Sequence, residues 1–241
     1  MSKRARMGGK IRGVLFDKDG TLADFAATWP PAYRAAASDL AQSAGDPALA
    51  ERLLRIGGYD ESGALDPASP LASGTTDELL ARWAARPELA AVPDIVGRVD
   101  RVFMSFAPHA PAAVADLAAL LGRLRSRGLA LGVATNDSAA AAAEWLANAG
   151  IDHLIDFVAG ADSGHGGKPG PGMVRAFCAA TGLKAAEVAV VGDAVNDLAM
   201  ARAAGAGLAI GVLTGVTDRE TLKPLADLVL ASVAEIETIL R

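Results

Sequence analysis

Residues 16–22 read FDKDGTL, and they close the short apolar run IRGVLF at residues 11–16. A run that short, bounded by Gly and Asp, reads as a strand buried on both faces. Neighbours along a strand point to opposite faces while residues i and i+2 share one, so Asp17 and Asp19 face one small volume where the strand gives way to a loop. Two like charges that close need something positive between them. A divalent cation, a shared proton or a helix N-terminus would serve, and only the first two call for paired carboxylates. Asp-Gly also suits a plain turn, so the heptapeptide is weighed against the rest of the chain.

The chain's 241 residues allow one large domain, or one domain with a modest insert. Hydrophobic residues make up 51% and aromatics only 5%, which predicts an interior of Ala, Leu and Val and favours helices packed on a sheet over a β-sandwich. A net charge of −5 argues against a general nucleic-acid binder, whose affinity comes largely from Lys and Arg on phosphates. Cys178, in RAFCAATG, has no second cysteine to pair with and no thiol-site signature around it; it reads as a small packed residue. The basic start MSKRARMGGKIRG is followed by no apolar segment with a cleavage site, and no run of about 18 apolar residues occurs without charges. The expectation is a cytoplasmic chain with neither a nucleic-acid nor a membrane partner.

Residues 25–107 carry helical blocks such as PPAYRAAASDLAQSA and DELLARWAAR, separated by the turn-rich GGYDESGALDPASPLASGTTD, with no strand–helix alternation. They read as a helical insert. Beyond Pro108 the texture changes: a helix from Pro111 to Gly128, the strand LALGVATN, a helix capped by Ser138, then FVAG, a Gly-rich loop, a helix near Pro171, and the strands VAVVGD and GLAIGV with further helices. Repeated strand–helix units with short loops predict an α/β fold, a doubly wound parallel sheet formed by 1–24 and 108–241, with ligands at the carboxyl ends of its strands.

Four segments fall at those ends: Asp17 and Asp19; Thr135 and Asn136; Lys168 in SGHGGKPGP; and Asp193 with Asp197 in GDAVND. Carboxylates, a hydroxyl, an amide and an ammonium suit a hard cation together with a phosphoryl group. Oxygen ligands without clustered His or Cys point to Mg²⁺ over zinc. GHGGKPG is no nucleotide phosphate loop, since Asp162 and Pro169 stand where that motif needs Gly and Ser or Thr.

In this order, DKDGTL, Thr-Asn, Lys-Pro and GDAVND resemble the four motifs of the haloacid dehalogenase-like hydrolase superfamily. The insert placed directly after the first motif is similar to the helical cap of its phosphoglycolate-phosphatase-like branch. The resemblance implies a Rossmann-like core and a Mg²⁺-dependent phosphatase for a small phosphorylated metabolite, acting through an aspartyl phosphate. It implies Asp17 as nucleophile, Asp19 as the acid that protonates the leaving oxygen, and Thr135 and Lys168 as stabilisers of phosphate and nucleophile. Asp17, Asp193 and the main-chain carbonyl of Asp19 would hold the metal. Asp197 is divided between a water-mediated metal contact and a first-turn role in its helix, and Asn136 between substrate contact and a cap. A sugar-phosphate mutase of the same superfamily and a catalytically silent binding protein are the rival readings. Selectivity is expected from the cap, where Arg52, Arg55, Tyr59, Arg82 and Arg86 are the candidates, an arginine being suited to a substrate carboxylate.

Overall fold

A computed structural model describes residues 10–240; Arg241 and residues 1–9, which carry most of the basic start considered above, lie outside the described residues. The chain opens with strand β1 (Gly13–Phe16) and passes into five helices: α1 (Phe25–Ser43), α2 (Leu49–Gly57), α3 (Pro70–Ser73), α4 (Thr76–Ala84) and α5 (Ile95–Phe106). Strand and helix then alternate through α6 (Leu117–Ser126), β2 (Ala130–Ala134), α7 (Ala139–Asn148), β3 (Phe157–Ala159), α8 (Gly172–Thr181), β4 (Val188–Gly192) and α9 (Val195–Ala204). The chain finishes with β5 (Leu208–Val212), α10 (Arg219–Leu222), β6 (Leu228–Leu230) and α11 (Ile236–Ile239).

The six strands form one parallel sheet in the order β3-β2-β1-β4-β5-β6. This is the doubly wound α/β arrangement expected from the alternation, and its switch point lies between β1 and β4. The period of two divides each strand between two layers. Val14, Phe16, Leu131, Val133 and Val191 pack with α6, Trp145 of α7 and the C-terminal segment, whereas Leu15, Ala134 and Val190 pack with Met173 and Phe177 of α8 and Leu198 of α9. Register sets Phe16 level with Val133 on one side and Val191 on the other, so β1, β2 and β4 end together.

Helices α1–α5 enclose a third apolar cluster around Leu40, Leu53 and the fully buried Trp83, whose indole N–H donates to the Leu53 carbonyl at 2.9 Å. This is the inserted helical cap. Its two connections to the sheet unit lie side by side: the Asp24 N–H donates to the Pro111 carbonyl, and the Ala113 N–H to the Leu22 carbonyl, each at 2.8 Å. That pairing corrects one expectation. The helix read from Pro111 begins at Leu117, because the main chain of 111–113 is drawn out to pair with 22–24. Ser138 caps α7 as expected, its hydroxyl accepting from the Ala141 N–H at 3.1 Å.

Candidate active site

Asp17 sits one residue past β1, still tied into the sheet by its N–H to the Val191 carbonyl at 2.8 Å. The chain then closes a tight loop in which the N–H groups of Leu22 and Ala23 return to the Lys18 carbonyl at 2.9 and 2.8 Å. Gly20 holds φ +86 in this loop, and a Cβ there would meet the Asp193 carboxyl carbon at 2.6 Å. Gly215 closes in from another loop, where a Cβ would fall 1.7 Å from Asp193 Oδ2. Asp193 thus lies in a cradle that only glycine leaves open.

Around it the strand ends deliver their side chains. Lys168 Nζ donates to Asp17 Oδ1 at 2.5 Å and to Asp197 Oδ1 at 2.6 Å, all three side chains being buried. Asp17, Asp193 and Asp197 bring carboxylate oxygens within 4.8 Å of one another. Burial pushes the Asp17 carboxyl up to about 7, against the pull of Lys168 and with a push from Asp197 and Asp19. Burial likewise raises Asp193 well above the carboxylate range, helped by Asp17 and Asp197. For Lys168 burial opposes the charge, but Asp17 and Asp197 outweigh it and hold the ammonium above its ordinary value.

Asp17 Oδ2 is buried and has no hydrogen-bond partner. An ionised oxygen left so is costly unless a cation faces it, and the donors gathered around it are all oxygens. The residues present therefore fit a hard divalent cation. Asp197 serves the protein as well, its Oδ2 accepting from the Ala194 N–H at 3.0 Å in the first turn of α9, which is the helix role weighed for it from sequence. The Asp19 carboxylate stands outside the three-aspartate cluster and is held by Lys18 Nζ at 2.9 Å.

The structure brings all seven sequence-predicted residues, Asp17, Asp19, Thr135, Asn136, Lys168, Asp193 and Asp197, to the lining of one cavity of about 80 Å³. Thr135, one residue past β2, accepts from the Asp137 N–H at 3.1 Å through its hydroxyl oxygen. Asn136 is more occupied than its sequence reading suggests. Its Oδ1 accepts from the Lys168 N–H at 2.9 Å, and its Nδ2 donates to the Ser73 carbonyl of the cap at 3.0 Å. Asn196, in the first turn of α9, donates to the same Ser73 carbonyl at 3.0 Å, so one core loop and one helix start grip one cap residue.

Other residues here went unassigned in the sequence. Lys18 is fully buried, its ammonium between Asp19 and Asp137 (3.2 Å) and 5.7 Å from the ring centroid of Trp29. Burial works against its charge, but Asp19 and Asp137 prevail and raise it above its ordinary value. The segment Pro70–Thr76, read only as turn-rich, forms the rim of the cavity. One signal for it was present: Thr75 and Glu78 have the spacing of a capping box and form one, fixing where α4 starts above the site.

The selectivity candidates of the cap are not at the cavity. Arg52 pairs with Asp46 and Glu88, Arg55 with Glu61 and Arg86 with Glu88. Arg82 lines a neighbouring groove, and Tyr59 lines a different pocket beneath Arg34. Salt bridges with nearby acids hold the first three on solvated faces.

A family model described as haloacid dehalogenase-like hydrolase matches residues 11–205. Among curated relatives, a phosphoglycolate phosphatase of Cereibacter sphaeroides is 32% identical over 202 residues, 82% of this chain and 84% of its own. Another, of Yersinia pestis, is 31% identical over 199 residues, 81% of this chain and 78% of its own. The crystal structure of a predicted phosphoglycolate phosphatase from Haemophilus somnus superposes with a TM-score of 0.72 at 21% identity, covering 97% of this chain and all of that one, a likeness of fold.

Proposed function

Since the chain belongs to the haloacid dehalogenase-like hydrolase family, we propose that it is a Mg²⁺-dependent phosphatase acting on a small phosphomonoester through an aspartyl phosphate. The observation that carries this reading is Asp17: one oxygen is fixed by Lys168, the other is buried without a partner, and Asp19 stands two residues on in the same cavity. Phosphatases at about 30% identity over most of the chain support it.

Asp17, Asp193 and Asp197, with the main chain at Asp19, would hold the cation. When bound it offsets the charge of carboxylate and phosphate dianion, which otherwise repel as they approach. The Asp17 carboxylate attacks phosphorus through one of its oxygens and the bond to the ester oxygen breaks, while Asp19 gives that oxygen its proton. Asp19 then takes a proton from the water that attacks the aspartyl phosphate, and Asp17 is regenerated. Lys168 holds Asp17 in line through Oδ1, and the Thr135 hydroxyl donates to a phosphoryl oxygen.

In this reading the catalytic unit is 1–24 with 108–241, and 25–107 is the cap that closes over it and excludes water. The chain's partner is a small phosphorylated molecule in the cytoplasm, a setting in keeping with its single cysteine. A mutase would need groups that hold a sugar in two orientations; the cap side of the cavity is aromatic and aliphatic apart from Ser73, Thr75 and Thr76 on its rim, and no observation favours a mutase over a phosphatase. Asp17→Asn keeps the shape and removes the nucleophile. Colorimetric assay of a phosphate ester with Mg²⁺ should show turnover in the parent and none in this variant. Turnover in the variant, or full parental activity in excess chelator, would refute the mechanism.

A further inference from the structure

To protonate the leaving oxygen, the Asp19 carboxyl has to stand on the side of the phosphorus away from Asp17, because attacking and leaving oxygens lie roughly in line in such a transfer. A carboxyl on a loop has several rotamers open to it unless a neighbour selects one. Among the described residues, the one partner of the Asp19 carboxylate is Lys18, whose Nζ lies 2.9 Å from each of its oxygens. Whatever places Lys18 therefore places Asp19.

Lys18 has one further neighbour from the core and one from the cap. Asp137 Oδ2 stands 3.2 Å from its Nζ, and Trp29 of α1 presents its ring centroid at 5.7 Å. A fully buried ammonium cannot turn to water instead, so these groups decide where it sits. Asp137 is itself tethered at its main chain and at one carboxyl oxygen. Its N–H donates to Thr135 Oγ1 at 3.1 Å, its carbonyl accepts from the Ala161 N–H at 3.0 Å, and its Oδ1 accepts from the Ser138 N–H at 2.7 Å. Those ties run to the ends of β2 and β3 and to the start of α7, and they leave Oδ2 for Lys18. One ammonium is thus shared between an anchored carboxylate and the carboxylate of the acid. Without the charge on Asp137, the whole pull of Lys18 would fall on Asp19 and draw its carboxyl back from the cavity.

Resting on the phosphatase reading above, we propose that Asp137 is a positioning residue for the proton transfer: with Trp29 it fixes Lys18, and Lys18 fixes the Asp19 carboxyl where the leaving oxygen departs. Asp137 acts through Lys18 and takes no part in the bonds that form and break. Since Trp29 belongs to the cap, the seat of the acid is completed by the cap.

Lys18→Met strips a buried ion pair and threatens the fold, so the test uses Asp137→Asn, which keeps the shape and removes one charge. Single-turnover phosphoryl transfer is measured in Mg²⁺ for ethyl phosphate, whose alkoxide needs a proton as it leaves, and for nitrophenyl phosphate, whose phenolate does not. In Asp137→Asn the ethyl ester should slow by roughly 10²-fold and the nitrophenyl ester by less than about 3-fold. The ratio of the two rates is independent of the folded fraction, so a partly unfolded sample still decides. With the acid already removed by Asp19→Asn, adding Asp137→Asn should cost the ethyl ester nothing more. No loss on ethyl phosphate, equal losses on both esters, or a further loss in the double variant overturns the proposal and leaves the phosphatase reading standing. No turnover of either ester by the parent protein overturns the phosphatase reading and this inference with it.

Discussion

Asp19 is held from behind by Lys18, which turns its carboxyl into the cavity at the distance of two residues from the nucleophile. For Asp19→Asn, phosphoryl transfer to Asp17 should slow by about 10²–10⁴-fold with alkyl esters, the range of general acid catalysis, and far less with a nitrophenyl leaving group. Single-turnover kinetics reads this step, and equal losses on both esters would remove the acid role. Lys18→Met leaves Asp19 and Asp137 facing each other without their cation. Removing one partner of a buried pair costs about 3–5 kcal/mol, to be read from urea unfolding. The pH dependence of stability belongs here too. In the metal-free protein Asp17 titrates at about 7 when folded, against an ordinary 3.8, chiefly because it is buried. Between those values the native state binds more protons than the unfolded chain, so stability should fall as pH rises through this window. The melting temperature in chelator should accordingly be higher at pH 5.5 than at pH 8, and saturating Mg²⁺ should lift the value at pH 8 most.

At the scale of elements, the cap is joined to the strand-end loops by small polar contacts laid over its apolar packing. The Ser73 carbonyl, at the end of α3, accepts from Asn136 beyond β2 and from Asn196 at the start of α9. Asn136 lies in the loop beyond β2 next to Thr135, and Asn196 in the first turn of α9 next to Asp197, so the contacts of the cap adjoin two proposed site residues. Asn196→Ala removes one of the two bonds. At a net 0.5–1.5 kcal/mol for a hydrogen bond, the closed form should lose roughly 2- to 12-fold in population, seen as a rise in KM of that size. An unchanged KM would mean that the contact does not govern closure. The capping box at Thr75 and Glu78 has the complementary task of fixing the rim that contributes Ser73 to Thr76.

For the molecule as a whole, the cap and the sheet unit have largely separate apolar clusters, Ala141 of α7 packing in the cap's, and are joined by two adjacent chain crossings. Replacing residues 25–107 by a short Gly/Ser linker should leave the parallel sheet able to fold, because its two layers draw almost nothing from the cap. The truncated protein should keep weak Mg²⁺-dependent hydrolysis of a small activated ester. It should also lose the ranking of substrates, since the cap residues that line the cavity are gone. A substrate ranking identical to that of the full chain would take specificity away from the cap.

Local pattern alone determined the alternation beyond Pro108, the buried strand before Asp17, the Ser138 cap and the four loop segments that converge. Each depends on a period of two, a cap or a turn within a few residues, and a doubly wound sheet then has one place for its strand ends. Tertiary structure decided the rest. Pro111 reads locally as a helix start, yet its segment is extended because residues 22–24, about ninety positions earlier, pair with it. The period of two sets Lys18 on the side away from Asp17, but only the seating of Trp29 and Asp137 over that side makes it a buried cation. The arginines of the cap looked available for a substrate carboxylate, and their acidic neighbours lead them away from the cavity. Ser73 meets Asn196 across 123 residues of sequence, a contact fixed by how one apolar cluster rests on another. Short-range periodicity carries no information on that placement, because it depends on the joint packing of side chains distant in the chain.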